Sequence, residues 1–324
     1  MPATKIADVV VPEQLTKMVS AQISPYMDFV RTGIASLDYH NTKIDEGGSF
    51  AEIPFYDQLT GDDEVLTDSS SLQPQKIATR KDIGVVCHRG KAWASRDLAT
   101  ILSGDDPMKE IAKQVAKYWG KRSAEHLISV LNGVFDATAG VLKDTHLNAV
   151  GVTTGTKITL SSTNVIGAAQ KLGDMMDQFD SIVVHSKVYA DMLNEKLVVF
   201  PERFDTTSVK LADKGRYLGM DIIVSDYAPV DTTTTGYPLY TSYLCRKGSL
   251  YYGMQKELMT ETDRDILALK DVLSTNIHFV PHVKLVKWKV TTDNPTNVQL
   301  ATATNWEKIA EDDKFIGIVA LVTN

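Results

Sequence analysis

Apolar and polar positions alternate differently in each part of the chain, and these changes predict its organisation. Residues 1–44 contain one short amphipathic stretch, PEQLTKMVSAQIS, with apolar side chains at helical spacing. Because that stretch offers too little apolar surface to fold alone, we predict an arm that lies on another body. Residues 45–95 alternate like strands, with turn sequences at TGDDE and TDSSS. The middle of this segment is polar on both faces, which predicts a β ribbon that needs a neighbouring subunit.

The clearest single element lies in DDPMKEIAKQVAKYWGKRSAEHLISVLNGVF. Asp106 suits the N-cap position, and Pro107 suits the first helical position. Apolar residues then recur at helical spacing, at Met108, Ile111, Val115, Trp119, Leu127, Ile128 and Leu131. We predict a helix roughly 40 Å long at ~1.5 Å per residue, with Gly120 and Gly133 as bend or end points. Trp119 should be buried under a sheet.

Residues 150–260 have the pattern of a compact α/β unit. The sequence predicts a strand at TKITL, a helix that begins near Ser161 or Ser162, a buried strand at SIVVHS and a second helix after it. YLGMDIIVSDYAP, PLYTSYLCRKGSLYYG and QKELMTETDRD should then be strands of one sheet. A final apolar strand, KFIGIVALVTN, closes the chain.

Composition narrows the possible partners. The 324 residues are 43% hydrophobic and carry a net charge of −7, which argues against a large basic face for nucleic acid. We expect a protein of the cytoplasm, because there is neither an apolar run of ~20 residues nor a secretory signal pattern. The two cysteines, Cys87 and Cys245, are far apart in sequence, so we predict small core residues and not a disulfide.

Few residues of the sequence are candidates for a catalytic or metal site. His278 and His282 form an H-x-x-x-H pair, which chelates a metal on a helix. Their surroundings, TNIHFVPHVKLVKW, favour a strand, where these positions lie ~13 Å apart at ~3.3 Å per residue, so we predict partly buried histidines and no metal site. Cys87 and His88 are adjacent, so on a strand they point to opposite faces and cannot act as nucleophile and base together.

The main rival to a structural protein is a soluble α/β enzyme of unassigned activity. Its best polar candidates are His185, directly after the buried strand, and Asp226. A histidine at a strand end is more often a cap or a core residue, and no nucleotide-binding or nucleophile motif accompanies it. We therefore predict no catalytic residue, no cofactor and no metal.

Charged residues cluster in ETDRD, where a strand would place Glu261, Asp263 and Asp265 on one side and Arg264 on the other. These charges suit ionic contact with another copy of the chain, and a solvated strand end explains them equally well. The apolar residues of FAEIPFY should pack on a neighbouring subunit. The predicted subunit interface comprises Phe50, Ile53, Phe55, Tyr56, Glu261, Asp263, Arg264 and Asp265.

The order of these elements, an arm, a ribbon, one long helix, an α/β unit and terminal strands, resembles the HK97-fold major capsid proteins of tailed bacteriophages. Segments spread from residue 47 to residue 324 are also similar to that family, namely GGSFAEIPFYDQL, YLGMDIIVSDYAP, SLYYG, ETDRDILALKDVLSTNIHFVPHVKLVKW and NWEKIAEDDKFIGIVALVTN. The resemblance implies an α+β fold with the long helix as the spine of a peripheral domain. The implied divisions are an N-terminal arm at 1–44, an extended loop at 45–95, the peripheral domain at 96–149, an axial domain at 150–260 and a return to the peripheral domain at 261–324.

The resemblance also implies a function. The protein would assemble in the host cytoplasm into hexamers and pentamers of an icosahedral head around double-stranded DNA, which it would contact weakly and non-specifically. Its partners would be many copies of itself, a separate scaffolding protein, a portal and decoration proteins, with no membrane. The encapsulin nanocompartments share the fold, so a shell around enzymes is the alternative within this class.

Overall fold

The computed structural model describes residues 28–36, 48–56, 63–65, 74, 76–77, 79–96, 107–152, 155–200, 215–232 and 236–324. The helices are α1 Asp28–Arg31, α2 Pro107–Val134, α3 Lys143–His146, α4 Ser162–Ala169, α5 Ser186–Asn194 and α6 Asn297–Leu300. The first strands are β1 Ala35–Ser36, β2 Phe50–Tyr56, β3 Thr79–Val85, β4 Cys87–Arg96, β5 Leu147–Ala149, β6 Ser181–Val184, β7 Arg216–Tyr217 and β8 Met220–Val224. They are followed by β9 Val230–Asp231, β10 Leu239–Cys245, β11 Leu250–Asp265, β12 Lys270–Val283, β13 Val286–Trp288, β14 Trp306–Lys308 and β15 Ile318–Thr323. Residues 1–27 and 37–44 of the predicted arm lie outside the described residues, whereas residues 28–36 contribute Phe29 and Ile34 to the main apolar cluster of the chain.

Two larger sheets organise the chain. A four-stranded sheet has the order β1-β11-β12-β4, and a seven-stranded sheet has the order β5-β15-β10-β6-β8-β7 with β9 paired to β10. β2 and β3 form a separate two-stranded ribbon, as do β13 and β14. The chain is therefore an α+β fold, as the sequence predicts. No helix of the described residues is long and apolar enough to cross a membrane.

Helix α2 packs between these sheets. Its 28 residues run without interruption past Gly120, so the predicted length is confirmed. Gly120 does not interrupt the helix, whereas Gly133 lies one residue before its end. Trp119 is buried on the four-stranded sheet, where its Nε1 donates to Thr275 Oγ1 at 3.1 Å. On the other side, Tyr243 Oη of β10 donates to Asn132 Oδ1 at 3.0 Å. One apolar cluster thus includes α2 and both sheets.

Gly133 has a steric role at the end of α2. A side-chain carbon at this position would collide with the Leu300 carbonyl and with the Trp306 indole. The missing side chain lets the segment after α6 approach the helix closely.

The seven-stranded sheet confirms most of the predicted α/β unit. β6 is fully buried and pairs in parallel with β8. Helix α4 begins at Ser162, and the Ser161 side chain caps it by accepting from Asn164 N. The strand predicted at TKITL is wrong. The backbone at Ile158 is occupied by Asn324, whose backbone N donates to Ile158 O at 2.8 Å and whose Oδ1 accepts from Ile158 N at 3.1 Å.

The sheet assignment of β11 is also corrected. β10 and β11 were expected in one sheet, but a turn containing Gly248 at φ 69° sends the chain from β10 into the four-stranded sheet. Near its end the chain returns to the seven-stranded sheet, where β15 lies between β10 and β5. Local sequence pattern does not specify strand partners over such sequence separations. The five domain divisions remain predictions.

Candidate subunit interfaces

The ribbon of β2 and β3 is anchored to its own chain at its base. Ala51 is buried and Ile53 is partly buried in a small apolar cluster with Val86, Tyr251 and Val280. The expectation that the ribbon finds no partner on its own body is therefore wrong at this end. Most of the ribbon's middle, residues 57–78, lies outside the described residues.

Strand alternation divides the four apolar residues predicted for the interface. Ile53 and Phe55 lie on the side of β2 that faces the body, and both are partly buried. Phe50 and Tyr56 lie on the opposite side and are 39% and 76% exposed. Phe50 and Tyr56 are thus the members of the set with apolar surface to offer another copy.

A buried polar pair orients the ribbon. His282 Nε2 of β12 lies 2.9 Å from Asp82 Oδ1 of β3, and both side chains are buried. Asp82 Oδ2 also accepts from Leu285 N at 2.8 Å. At the surface, Arg80 pairs with Glu311. Because a buried carboxylate without partners costs several kcal/mol, these contacts favour a single orientation of the ribbon base.

The predicted charged residues lie near the end of a long hairpin. β11 and β12 pair from Leu250↔Val283 to Asp265↔Lys270, and residues 266–269 form the connecting turn. The strand predicted at QKELMTETDRD is therefore one arm of a hairpin, since the chain reverses direction after Asp265. Asp265 Oδ1 accepts from Leu267 N at 3.2 Å and from Ala268 N at 3.1 Å. The Ala268 bond, followed by the nearby Lys270 ammonium, lowers the pKa of Asp265.

The charged side chains of this stretch make contacts within the hairpin. Glu261, Asp263 and Asp265 line one shallow depression of the hairpin, and Arg264 does not. Arg264 Nη1 lies 3.1 Å from Asp271 Oδ1 of the same chain, and Lys270 Nζ lies 3.6 Å from Asp265 Oδ2. Contacts within the hairpin thus account for part of this charge cluster, and its role between copies remains a prediction.

The turn of this hairpin carries apolar residues that the sequence pattern did not reveal. Ile266 is 75% exposed, Leu267 is 99% exposed and Leu269 is 57% exposed. We call residues 266–269 the hairpin tip. The available signal was DILALK, a short apolar run directly after charged residues, which resembles the beginning of a buried strand.

The residues considered for chemistry are not assembled into a reaction site. His185 accepts from Lys187 N at 3.1 Å and so caps α5, as expected for a histidine after a strand. Asp226 lines a groove with Phe29 and Lys121, and His185 does not line that groove. Burial raises the pKa of the Cys87 thiol to about 12, so it stays protonated and is a poor nucleophile.

His278 and His282 both lie on β12, which confirms the strand. His282 is fully buried against Asp82, whereas His278 is half-buried. Within the described residues, no group of three or more histidine, cysteine or acidic side chains is placed to hold a metal ion.

Comparison with known proteins decides the family. A model of Gp13-like proteins, described as major capsid protein 13-like, matches residues 40–319. The chain belongs to this family of major capsid proteins. This capsid protein is 35% identical over 329 residues to the major capsid protein of Bacillus phage SPP1, covering 97% of each chain.

Solved capsid structures show the same fold. The capsid protein is similar to a chain of the cyanophage Pam1 capsid asymmetric unit, with a TM-score of 0.59, 14% identity and coverage of 94% of this chain and 92% of that chain. For the capsid of Ralstonia phage GP4 the TM-score is 0.58, with 10% identity and coverage of 90% and 87%. The HK97-like fold and the role as a tailed-phage major capsid protein are confirmed. The comparisons support neither the encapsulin-like shell nor the soluble enzyme.

Proposed function

We propose that this capsid protein forms the hexamers and pentamers of an icosahedral head around double-stranded DNA, using the ribbon and the hairpin tip as contacts between copies. The observation that carries this proposal is the hairpin tip, where Ile266, Leu267 and Leu269 are largely exposed at the end of a long paired hairpin. Adjacent exposed apolar side chains are typical of surfaces that bind another protein.

The energetics support a contact between copies. Burying an aliphatic side chain stabilises an interface by roughly 1.5–3 kcal/mol. The stabilisation from one tip is small, but the sum over all copies in a shell is large. The Asp265 bonds to Leu267 N and Ala268 N hold the turn in one conformation, which lowers the entropy cost of association. The tip is therefore preorganised for binding.

The hairpin tip and the ribbon offer surfaces of different chemistry. Glu261 and Asp263 lie next to the tip and give it an acidic flank, so a basic partner surface would complement it. Phe50 and Tyr56 offer aromatic surface from a different strand pair, the ribbon. Tyrosine is among the residues enriched at interface centres, which supports the ribbon as a second contact.

Further parts of the proposal concern partners. A separate scaffolding protein, a portal and decoration proteins would complete the head, and assembly would take place in the host cytoplasm. The protein would act without catalysis, by binding copies of itself. Contact with DNA would be weak and independent of sequence, because the net charge of −7 repels phosphate on average.

Substitutions at the tip test this interface. Leu267→Asp should prevent shell formation, because each contact would have to bury a charge. The matched control Leu267→Met keeps the apolar character and should assemble. Size-exclusion chromatography and negative-stain microscopy measure assembly, and circular dichroism checks that both variants are folded. Shells of Leu267→Asp at the yield of the unmodified protein would contradict the role of the tip.

A further inference from the structure

His88 and His278 face each other on the surface of the four-stranded sheet. They are directly opposite in the register of β4 and β12, 190 residues apart in sequence. Their ring centroids lie 4.1 Å apart with the planes tilted by 38°. His88 is exposed and His278 is half-buried, so solvent reaches the pair. Two imidazoles held side by side by a paired sheet are already close to the arrangement in which they share one ligand.

The neighbouring positions on this face add an oxygen donor and a glycine. Asn276 lies two residues before His278, so its side chain is on the same face of β12. Its Oδ1 is shielded from solvent and has no hydrogen bond within the described part of the chain. Gly90 is directly opposite Asn276 and has no side chain. The four positions thus present two imidazoles and one amide oxygen beside a glycine.

We propose that His88 and His278 bind one divalent transition-metal ion of the Zn²⁺, Ni²⁺ and Cu²⁺ class, with Asn276 Oδ1 as an oxygen donor and water in the remaining positions. Imidazole nitrogen suits these ions. A zinc–nitrogen distance of ~2.0–2.1 Å places two ligating nitrogens ~3–3.5 Å apart. Rings with centroids 4.1 Å apart reach that separation by rotation about their side-chain bonds.

Two basic residues, Lys256 and Arg89, lie near the pair in the strand register. Lys256 lies opposite His278 on β11 and is the cation with which a bound ion must coexist. Arg89 is directed elsewhere, since its guanidinium donates to Asn294 Oδ1 at 2.8 Å and to Pro295 O.

A bound ion would connect strands that come from distant parts of the chain. β4 follows the ribbon in sequence, and β12 follows the hairpin tip. An ion ligated from both strands would stabilise their pairing, because it binds the folded chain and has no preformed site in the unfolded one. The expected consequence is a higher melting temperature in the presence of the metal.

Calorimetric titration of the unassembled full-length protein with ZnCl₂ tests the site. We expect one saturable site per chain, and a loss of about tenfold or more in affinity for both His88→Ala and His278→Ala. The control His185→Asn removes another imidazole but keeps a side-chain acceptor at the cap of α5, so it should bind Zn²⁺ as before.

Electron paramagnetic resonance with Cu²⁺ supplies a readout of ligand identity. The unmodified protein should show coupling to two imidazole nitrogens, and each alanine variant should show one. The zinc-dependent rise in melting temperature should vanish in both variants while their circular dichroism is unchanged. Unaltered affinity in His88→Ala or His278→Ala, or no saturable binding to the unmodified chain, would overturn the proposal.

Discussion

At the scale of single residues, His126 is the clearest example of a polar side chain held away from water. It lies on α2, is 1% exposed and stacks on Phe279 with ring centroids 4.5 Å apart. Neither ring nitrogen has a hydrogen bond among the described residues. Burial, assisted by the charges of Arg89 and Arg122, lowers its pKa from 6.5 to about 3. The folded protein therefore holds His126 neutral.

This shift predicts acid sensitivity. The unfolded chain takes up a proton on His126 below pH 6.5, and the folded chain does so only near pH 3, so stability falls as the pH decreases between these values. His126 alone should lower the free energy of unfolding by about 2 kcal/mol between pH 7 and pH 5. His126→Phe keeps an aromatic ring against Phe279 and removes the proton.

Urea unfolding of the unassembled protein at both pH values measures this contribution. The loss of stability between pH 7 and pH 5 should be smaller in His126→Phe than in the unmodified protein by about 2 kcal/mol. Equal losses in the two proteins would show that His126 does not titrate in this way.

At the scale of elements, the ribbon and the hairpin are extensions fixed to the body at one end. The ribbon base is held by the Asp82–His282 pair and by the apolar contacts of Ala51 and Ile53. Tyr56, which is 76% exposed, contributes little to the stability of a single chain. Folding and assembly should therefore be separable by changes beyond the ribbon base.

Deletion of residues 57–78 tests this separation. Tyr56 and Thr79 are paired, so an Asn-Gly turn can close the shortened ribbon without changing its register. We expect a soluble, folded protein that forms no shells, because the distal ribbon would contact a neighbouring copy. Microscopy measures assembly. The melting temperature, compared with that of the unmodified unassembled protein, is the control for folding, and intact shells would refute the prediction.

At the scale of the whole molecule, the net charge bears on the proposed packaging of DNA. A net charge of −7 per copy, repeated over many copies, would give a shell that repels DNA on average. Attraction would be confined to local groups such as Lys117 and Lys121, which are exposed on α2. We expect the same of Lys5, Lys17 and Lys113, which lie where the structure describes no side chains.

Weak binding to DNA is the expected result for unassembled protein. Filter binding to random duplexes should show low affinity at physiological salt, no preference for one sequence and a steep decrease in affinity with added salt. Replacing Lys117 and Lys121 by glutamate should make this salt dependence shallower, with the slope falling by about one for each phosphate that is no longer neutralised. Tight or sequence-selective binding would contradict the passive role of the shell.

Elements with strong local patterns could be predicted from the sequence without any knowledge of the fold. Helix α2 was predictable because its apolar residues repeat at helical spacing, and α4 because Ser161 is a good cap. The order of elements was sufficient to identify the capsid fold, and the predicted burial of Trp119 is confirmed. Local periodicity indicates which face of an element is buried, so helix positions and the burial of Trp119 could be predicted without knowing the partners of each element.

Features that depend on partners distant in sequence required the three-dimensional arrangement. Periodicity does not specify which strands pair, so the sheet of β11, the central position of β15 and the binding of Ile158 by Asn324 could not be read from the sequence. The His88–His278 pair was also not predictable, because the two histidines are brought together only by the register of β4 and β12. The exposure of Leu267 was unpredictable because an apolar run has the same pattern whether it is covered by its own chain or left for another copy.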